Sequence, residues 1–280
     1  MGKLHIVTDS TCDLPPELVK RHGLTVVPLA VRFGEEVYRE GVEISVAEFY
    51  ARMRDIKPLP ATSQPTAGDF LEVYRKLTAS GDQVLSIHIS GDISGTLNSA
   101  LTAKEQLPGA AITILDSRFA STGLGNLVLE AAEQAAMGKP LPAILERLHK
   151  VIPRQLAYFV VDDLEHLKRG GRIGAAQAAL GSLLQLKPVL VFKDGRIALQ
   201  EKIRTKRKAL ERIVELFAER VGDKPARVAV AHADAAEEGQ AFLKTMRDRF
   251  PKADFIFAQF GAVIGTHVGP GTIGIMFHDA

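Results

Sequence analysis

Short aliphatic runs recur through the first part of the chain, each followed by a stretch in which apolar residues fall three and four apart. Residues 4–8, 24–31, 84–89 and 112–115 are β-rich runs of this kind. Pro15 and Pro16 open a short helix reaching Lys20, because proline is tolerated in a first turn. Residues 46–54 read as helical, and Phe70, Leu71, Val73, Tyr74 and Leu77 form the inner stripe of another helix. Further helices are expected over about 94–106 and over 124–136. Strands alternating with helices at this spacing predict a parallel sheet covered on both faces.

Beyond Pro153 the pattern changes. A strand is expected at 156–161 and a helix rich in small residues at 175–186. Two apolar runs, 189–192 and 197–199, flank Lys193-Asp194-Gly195-Arg196, and Asp-Gly in that setting predicts a hairpin. Runs at 228–231, 255–260 and 273–277 complete a set of about six strands, with only two long helices, near 206–221 and 236–249. The expected fold is α/β with two domains. Residues 1–155 form a three-layer parallel-sheet domain, residues 156–280 a two-layer mixed-sheet domain, and a ligand binds between them.

A length of 280 residues supports the division. With no Trp and 6% aromatic residues, the core must be built mainly from Val, Ile, Leu and Ala. The formal net charge of +2 gives no electrostatic case for nucleic acid as a partner. The cluster Lys202, Arg204, Lys206, Arg207, Lys208 opens a helix whose apolar stripe is Leu210, Ile213, Val214, Phe217 and Val221, so it reads as a solvated first turn. Cys12 is the single cysteine, which excludes an internal disulfide and fits a reducing compartment. The start of the chain has no signal-like pattern and no apolar run approaches membrane-span length. The expectation is a cytoplasmic protein with at most transient membrane contact.

Hydroxyl residues gather at loops. Thr8-Asp9-Ser10-Thr11 follows the first strand, Thr62-Ser63-Gln64-Pro65-Thr66 precedes a helix, and Ser90 to Thr96 follows the strand ending at Ile89. Helix capping accounts for one hydroxyl in each, and Thr66 with Asp69 fits such a cap. The surplus hydroxyls, with helix-start amides, suit an anion, either a carboxylate or a phosphate. In Ser94-Gly95-Thr96 the glycine lets backbone approach a ligand while Ser94 keeps a hydroxyl free to donate. Three clusters on one edge of one sheet point to a binding edge.

Near the end of the chain, Gly261 to Gly274 includes a literal G-x-G-x-x-G at 269, 271 and 274. It runs into a final strand rather than a helix, so the dinucleotide reading fails. The glycines instead predict a tight loop that brings backbone against a ligand, with His267, its only titratable side chain, a candidate to face it. Lys168-Arg169-Gly170-Gly171-Arg172-Ile173 reads as a cationic loop after a helix end; helix capping explains all but Arg172. No phosphate-binding loop, nucleophile elbow or metal-ligand pattern is present. A serine hydrolase or acyltransferase using Ser94 with His267 as base is the alternative, weakened by the missing elbow.

Six strings in order resemble the DegV family: Asp9 to Pro15, Thr62 to Pro65, Ile93 to Thr96, Leu167 to Ile173, Leu186 to Pro188 and Gly265 to Gly271. The resemblance implies a lipid-binding protein rather than a self-sufficient enzyme, carrying one long-chain fatty acid in a tunnel between two domains. It places the carboxylate at Thr62, Ser63 and Ser94 with His267 nearby, and Ser10, Gly95, Thr96 and Thr266 in supporting loops. It further implies a separate fatty-acid kinase subunit as partner, with Arg172 serving phosphoryl transfer or docking, and no cofactor or metal.

Overall fold

The computed structural model describes residues 2–54, 58–182 and 186–279. The first half runs β1 (Leu4–Asp9), α1 (Pro16–Arg21), β2 (Thr25–Val27), β3 (Ala30–Phe33), β4 (Glu36–Arg39) and α2 (Val46–Met53). It continues through β5 (Ala61–Ser63), α3 (Ala67–Thr78), β6 (Gln83–His88), α4 (Thr96–Glu105) and β7 (Ile112–Asp116) to α5 (Thr122–Ala136) and α6 (Leu141–Val151). Strands β2-β1-β6-β7 form a fully parallel sheet in that order. Ser45 and Thr66 each close a capping box, with Glu48 and Asp69, which sets where α2 and α3 begin.

The second half runs β8 (Leu156–Val160), α7 (Glu165–Arg169), a 3-10 segment (Gly174–Ser182), β9 (Lys187–Lys193), β10 (Arg196–Ile203) and α8 (Lys206–Val221). Then come β11 (Ala226–His232), α9 (Ala236–Arg249), β12 (Asp254–Gln259), α10 (Ala262–Val268) and β13 (Ile273–Asp279). Its sheet has the order β10-β9-β8-β13-β11-β12 and is mixed, because β11 and β12 pair parallel while the other neighbours pair antiparallel. Asp194 and Gly195 both take positive φ at the β9–β10 turn, the backbone that an Asp-Gly hairpin requires. Helices α8 and α9 cover one face; the expected stripe from Leu210 to Val221 is buried there.

All strands of the parallel sheet precede residue 155 and all strands of the mixed sheet follow it, yet one core crosses that point. Helix α5 packs against β1 and β6 on one side and β11 and β13 on the other. Residues 122–132 are buried all round; the polar stripe Thr122, Asn126 and Glu130 is satisfied there by the Met276 sulfur, the Met276 carbonyl and Arg147. Gly125 makes this possible, since a Cβ there would stand 2.7 Å from the Cys12 carbonyl oxygen.

Four expectations need correction. The run 24–31 is two strands broken at Pro28, which has no N–H for a ladder. Strand β3 belongs to a small antiparallel sheet, β4-β3-β5, that local pattern did not reveal. Thr62 and Ser63 therefore lie in that sheet and not on the edge of the parallel one. The glycine-rich stretch expected as a loop forms α10 before turning at Gly269 and Gly271, both at positive φ. The helix expected at 175–186 is a 3-10 segment, Gly174–Ser182, and positions 183–185 of that stretch lie outside the described residues.

Candidate functional site

A cavity of about 320 Å³ lies between the carboxyl-end loops of the parallel sheet and the inner face of the mixed sheet. Most of its wall is apolar, with Phe159, Leu167, Phe192, Ile197, Phe260 and Met276 prominent. Polar lining comes from Thr62, Ser63, Gln64, Ser94, Ser121, Arg172 and His267. These side chains come from β5 and the residue after it, the loops before α4 and α5, the loop after α7, and α10. The fold thus assembles residues separated by 205 positions: the Thr62 hydroxyl and His267 Nε2 are 2.9 Å apart.

Burial, with the Arg172 charge and His166 nearby, lowers the His267 pKa to about 4, so its imidazole is neutral at neutral pH. Its Nδ1 is buried with no hydrogen-bond partner. That nitrogen faces Gly170 so closely that a Cβ at residue 170 would overlap it. Arg172 is aimed by two carbonyls, donating from Nε to Ile93 at 3.1 Å and from Nη1 to Gly170 at 2.6 Å. Ser94 exchanges a hydrogen bond with Thr96 at 2.8 Å. Thr62, Arg172 and His267 also line, from the far side, a second cavity of about 280 Å³, with His166 and Arg169 among its other walls.

The remaining expected residues fall in distinct places. Gly95 precedes α4, and the Gln64 side chain lies over it where any Cβ would collide. Thr96 is buried and bonded to Ser94, which makes it a support for that hydroxyl. Thr266 donates to the Ala262 carbonyl at 2.8 Å and faces the outer cavity. Ser10 accepts from the Leu29 amide at 3.0 Å and lines a different cavity, near Glu40 and His232. Cys12 is buried, and burial pushes its thiol far above the ordinary range, which removes it as a nucleophile.

The family model described as "Uncharacterised protein, DegV family" matches residues 3–279. The chain belongs to the DegV family. Protein DegV of Bacillus subtilis is 42% identical over 272 residues, covering 96% of this chain and 97% of its own. Among solved structures, a fatty-acid-binding DegV family protein from Thermus thermophilus superposes with a TM-score of 0.93 at 40% identity, covering 99% of this chain and all of its own. The fatty acid binding protein DegV of B. subtilis gives 0.92 at 40%, with full coverage of both chains. A stearic-acid-binding protein from Eubacterium ventriosum gives 0.91 at 34%, covering 100% of this chain and 98% of its own.

Two DegV cavity residues escaped the sequence reading. Ser121 lines the cavity from a strained position, φ 53°, and Gln64 lines it beside Gly95. Only the Ser-Thr pair before α5 hinted at the first. The role of Gly170 was also hidden, since a glycine after a helix reads as a cap. Among the described residues no group of three or more His, Cys, Asp or Glu is placed to hold a metal, and no helix is long and apolar enough to cross a membrane.

Proposed function

We propose that this DegV protein binds one long-chain fatty acid in the 320 Å³ cavity and presents its carboxylate to a separate ATP-dependent fatty-acid kinase. The observation that carries the reading is the polar cluster of Thr62, Arg172 and His267, which lines an apolar cavity on one side and a more polar one on the other. In this reading Thr62, Ser63 and Ser94 donate to the carboxylate, with neutral His267 beside them. Residues 1–155 supply the head-group loops and residues 156–280 cover the acyl chain. Arg172, reaching the outer cavity, serves the arriving phosphoryl group or its carrier. The protein would work in the cytoplasm, meeting the membrane only to exchange lipid, and it needs no cofactor.

Physical chemistry divides the labour. Each hydrogen bond to a carboxylate contributes roughly 1.5–3 kcal/mol. Burying a sixteen-carbon tail, at about 0.8 kcal/mol per methylene, offers on the order of 11 kcal/mol before association costs. The tail supplies affinity and the hydroxyls fix orientation. The acyl-hydrolase alternative loses support because His267 Nε2 faces Thr62 while Ser94 pairs with Thr96, and no carboxylate orients Nδ1.

The test is solvent extraction and mass spectrometry of purified protein, followed by palmitate titration calorimetry. The parent should carry a stoichiometric fatty acid. Thr62→Ala with Ser94→Ala should weaken palmitate binding at least about tenfold. Equal lipid content in parent and double variant would show that the carboxylate sits elsewhere.

A further inference from the structure

Two carboxyl groups hold the opposite end of α10 from His267. Asp13 and Glu40 are 9% and 6% exposed. Asp13 Oδ1 accepts the Gly261 amide at 2.9 Å, and Glu40 Oε1 accepts the Val263 amide at 2.9 Å. The Ser121 hydroxyl donates to Asp13 Oδ2 at 2.5 Å. A Cβ on Gly261 would overlap Glu40 Oε1 and stand 2.9 Å from Asp13 Oδ1, so the two carboxyls converge on one point of the backbone.

Among the described residues neither carboxyl enters an ion pair; Glu40 is met only by neutral donors, the Val263 and Ala262 amides and the Ser10 hydroxyl. The groups facing the pair are Asp9 at the end of β1, the Ser10 hydroxyl and Cys12 thiol after it, and Tyr50 of α2, whose hydroxyl donates to the Phe260 carbonyl at 3.0 Å. His232 lines the neighbouring cavity, and its own burial favours the neutral ring. Burial raises the pKa of Asp13 and of Glu40; the Glu40 charge raises that of Asp13 further, and the Asp9 charge that of Glu40. Two full charges in this buried site, at the wall of the cavity that Ser10 also lines, would repel. Asp13 and Ser121 both hold positive φ, 48° and 53°, so the contact fixes two strained residues at once.

We infer that Asp13 and Glu40 are positioning residues for the head-group cluster: sharing one proton, they fasten α10 to the first half of the chain, and losing it loosens the helix that carries His267. The consequence for lipid rests on the function proposed above; the proton and the helix do not.

The experiment has three arms. Carboxyl carbon-13 NMR of the parent should show one proton retained by the pair above the ordinary carboxylate range; two groups that both ionise within that range would overturn the inference. Hydrogen exchange should show protection of amides 262–268 falling at least about tenfold as pH rises and the pair ionises. Glu40→Gln, which keeps an acceptor and adds a permanent donor, should make that protection independent of pH, and an unchanged profile would overturn the inference. Palmitate dissociation should follow the same curve in the parent and stay flat in the variant. If palmitate does not bind while the first two arms hold, the lipid reading fails and the pair stands. If Glu40→Gln does not fold, the parent's NMR titration decides alone.

Discussion

The two halves of the molecule are joined in two physically different ways. Along α10 the joint is buried: at one end the Asp13 and Glu40 carboxyls, whose pKa values burial raises, and at the other a neutral His267 against Thr62. At the β9–β10 hairpin the joint is wet and ionic. Arg118 and Arg196 both bind Asp92 at 3.0 Å, with side chains 43%, 65% and 26% exposed respectively. The first joint should answer to protons, because protonation decides whether its groups can stay buried. The second should answer to salt, because its charges are screened by solvent.

Titrating stability across pH gives the largest contrast. His267, lowered to about 4, binds fewer protons folded than unfolded, so its contribution is present above its ordinary pKa and is lost as pH falls toward 4. The displacement corresponds to on the order of 3 kcal/mol. The acid pair has the opposite sign: its folded pKa values are raised, so its contribution is complete below the ordinary carboxylate range and is lost as pH rises through the raised values. Urea unfolding should therefore give a stability curve that falls on both sides. His267→Asn should flatten much of the acid limb and leave the opposite one, with His232 and His278, also lowered by burial, and carboxyls lowered by their donors, such as Glu43 and Asp82, contributing to the remainder. An acid limb unchanged in that variant would remove His267 from the joint.

A smaller effect isolates packing from charge. Gly170 has φ −70° and ψ −11°, a backbone alanine adopts freely, and helix propensity alone would make Gly170→Ala stabilising. The overlap with His267 Nδ1 predicts the reverse, a loss of about 2 kcal/mol from overpacking together with weaker palmitate binding. Denaturation and calorimetry on the same sample check both. A gain in stability would mean that His267 moves aside without cost.

Gly170 also marks where the sequence stopped being informative. The strands of the two larger sheets, the Asp194-Gly195 hairpin and the stripe of α8 were legible because each follows from periodicity or turn chemistry within a few residues. The contents of the site were legible only as residue types. Thr62 and His267 meet across 205 positions, and their meeting depends on β3 leaving the parallel sheet at Pro28 to build a second sheet that seats β5. No local pattern encodes that departure. Glycines misled in the same way: seven-residue α10 was hidden by Gly261, Gly265 and Gly269, which are there because Tyr50, Glu40 and His166 occupy the space of their side chains. Ser10 carried a suitable hydroxyl, but it accepts from the Leu29 amide and faces Glu40 in another cavity.

The smallest expected effect belongs to the wet joint. The hairpin tip is held by Ser90 Oγ donating to the Gly195 carbonyl at 2.9 Å and Arg118 Nη2 to the Asp194 carbonyl at 2.6 Å, with Asp92 shared between the two arginines. Partly exposed pairs of this kind contribute at most about 1 kcal/mol, so Asp92→Asn should cost less than that in global stability. Its effect should be local, because Phe192 and Ile197 beside the tip form part of the cavity wall. Palmitate dissociation should quicken severalfold in Asp92→Asn. Raising salt from about 50 mM to about 1 M should quicken it similarly in the parent and add little in the variant. Equal salt responses in the two proteins would mean that the hairpin tip does not control the opening, and that lipid leaves past α10 instead.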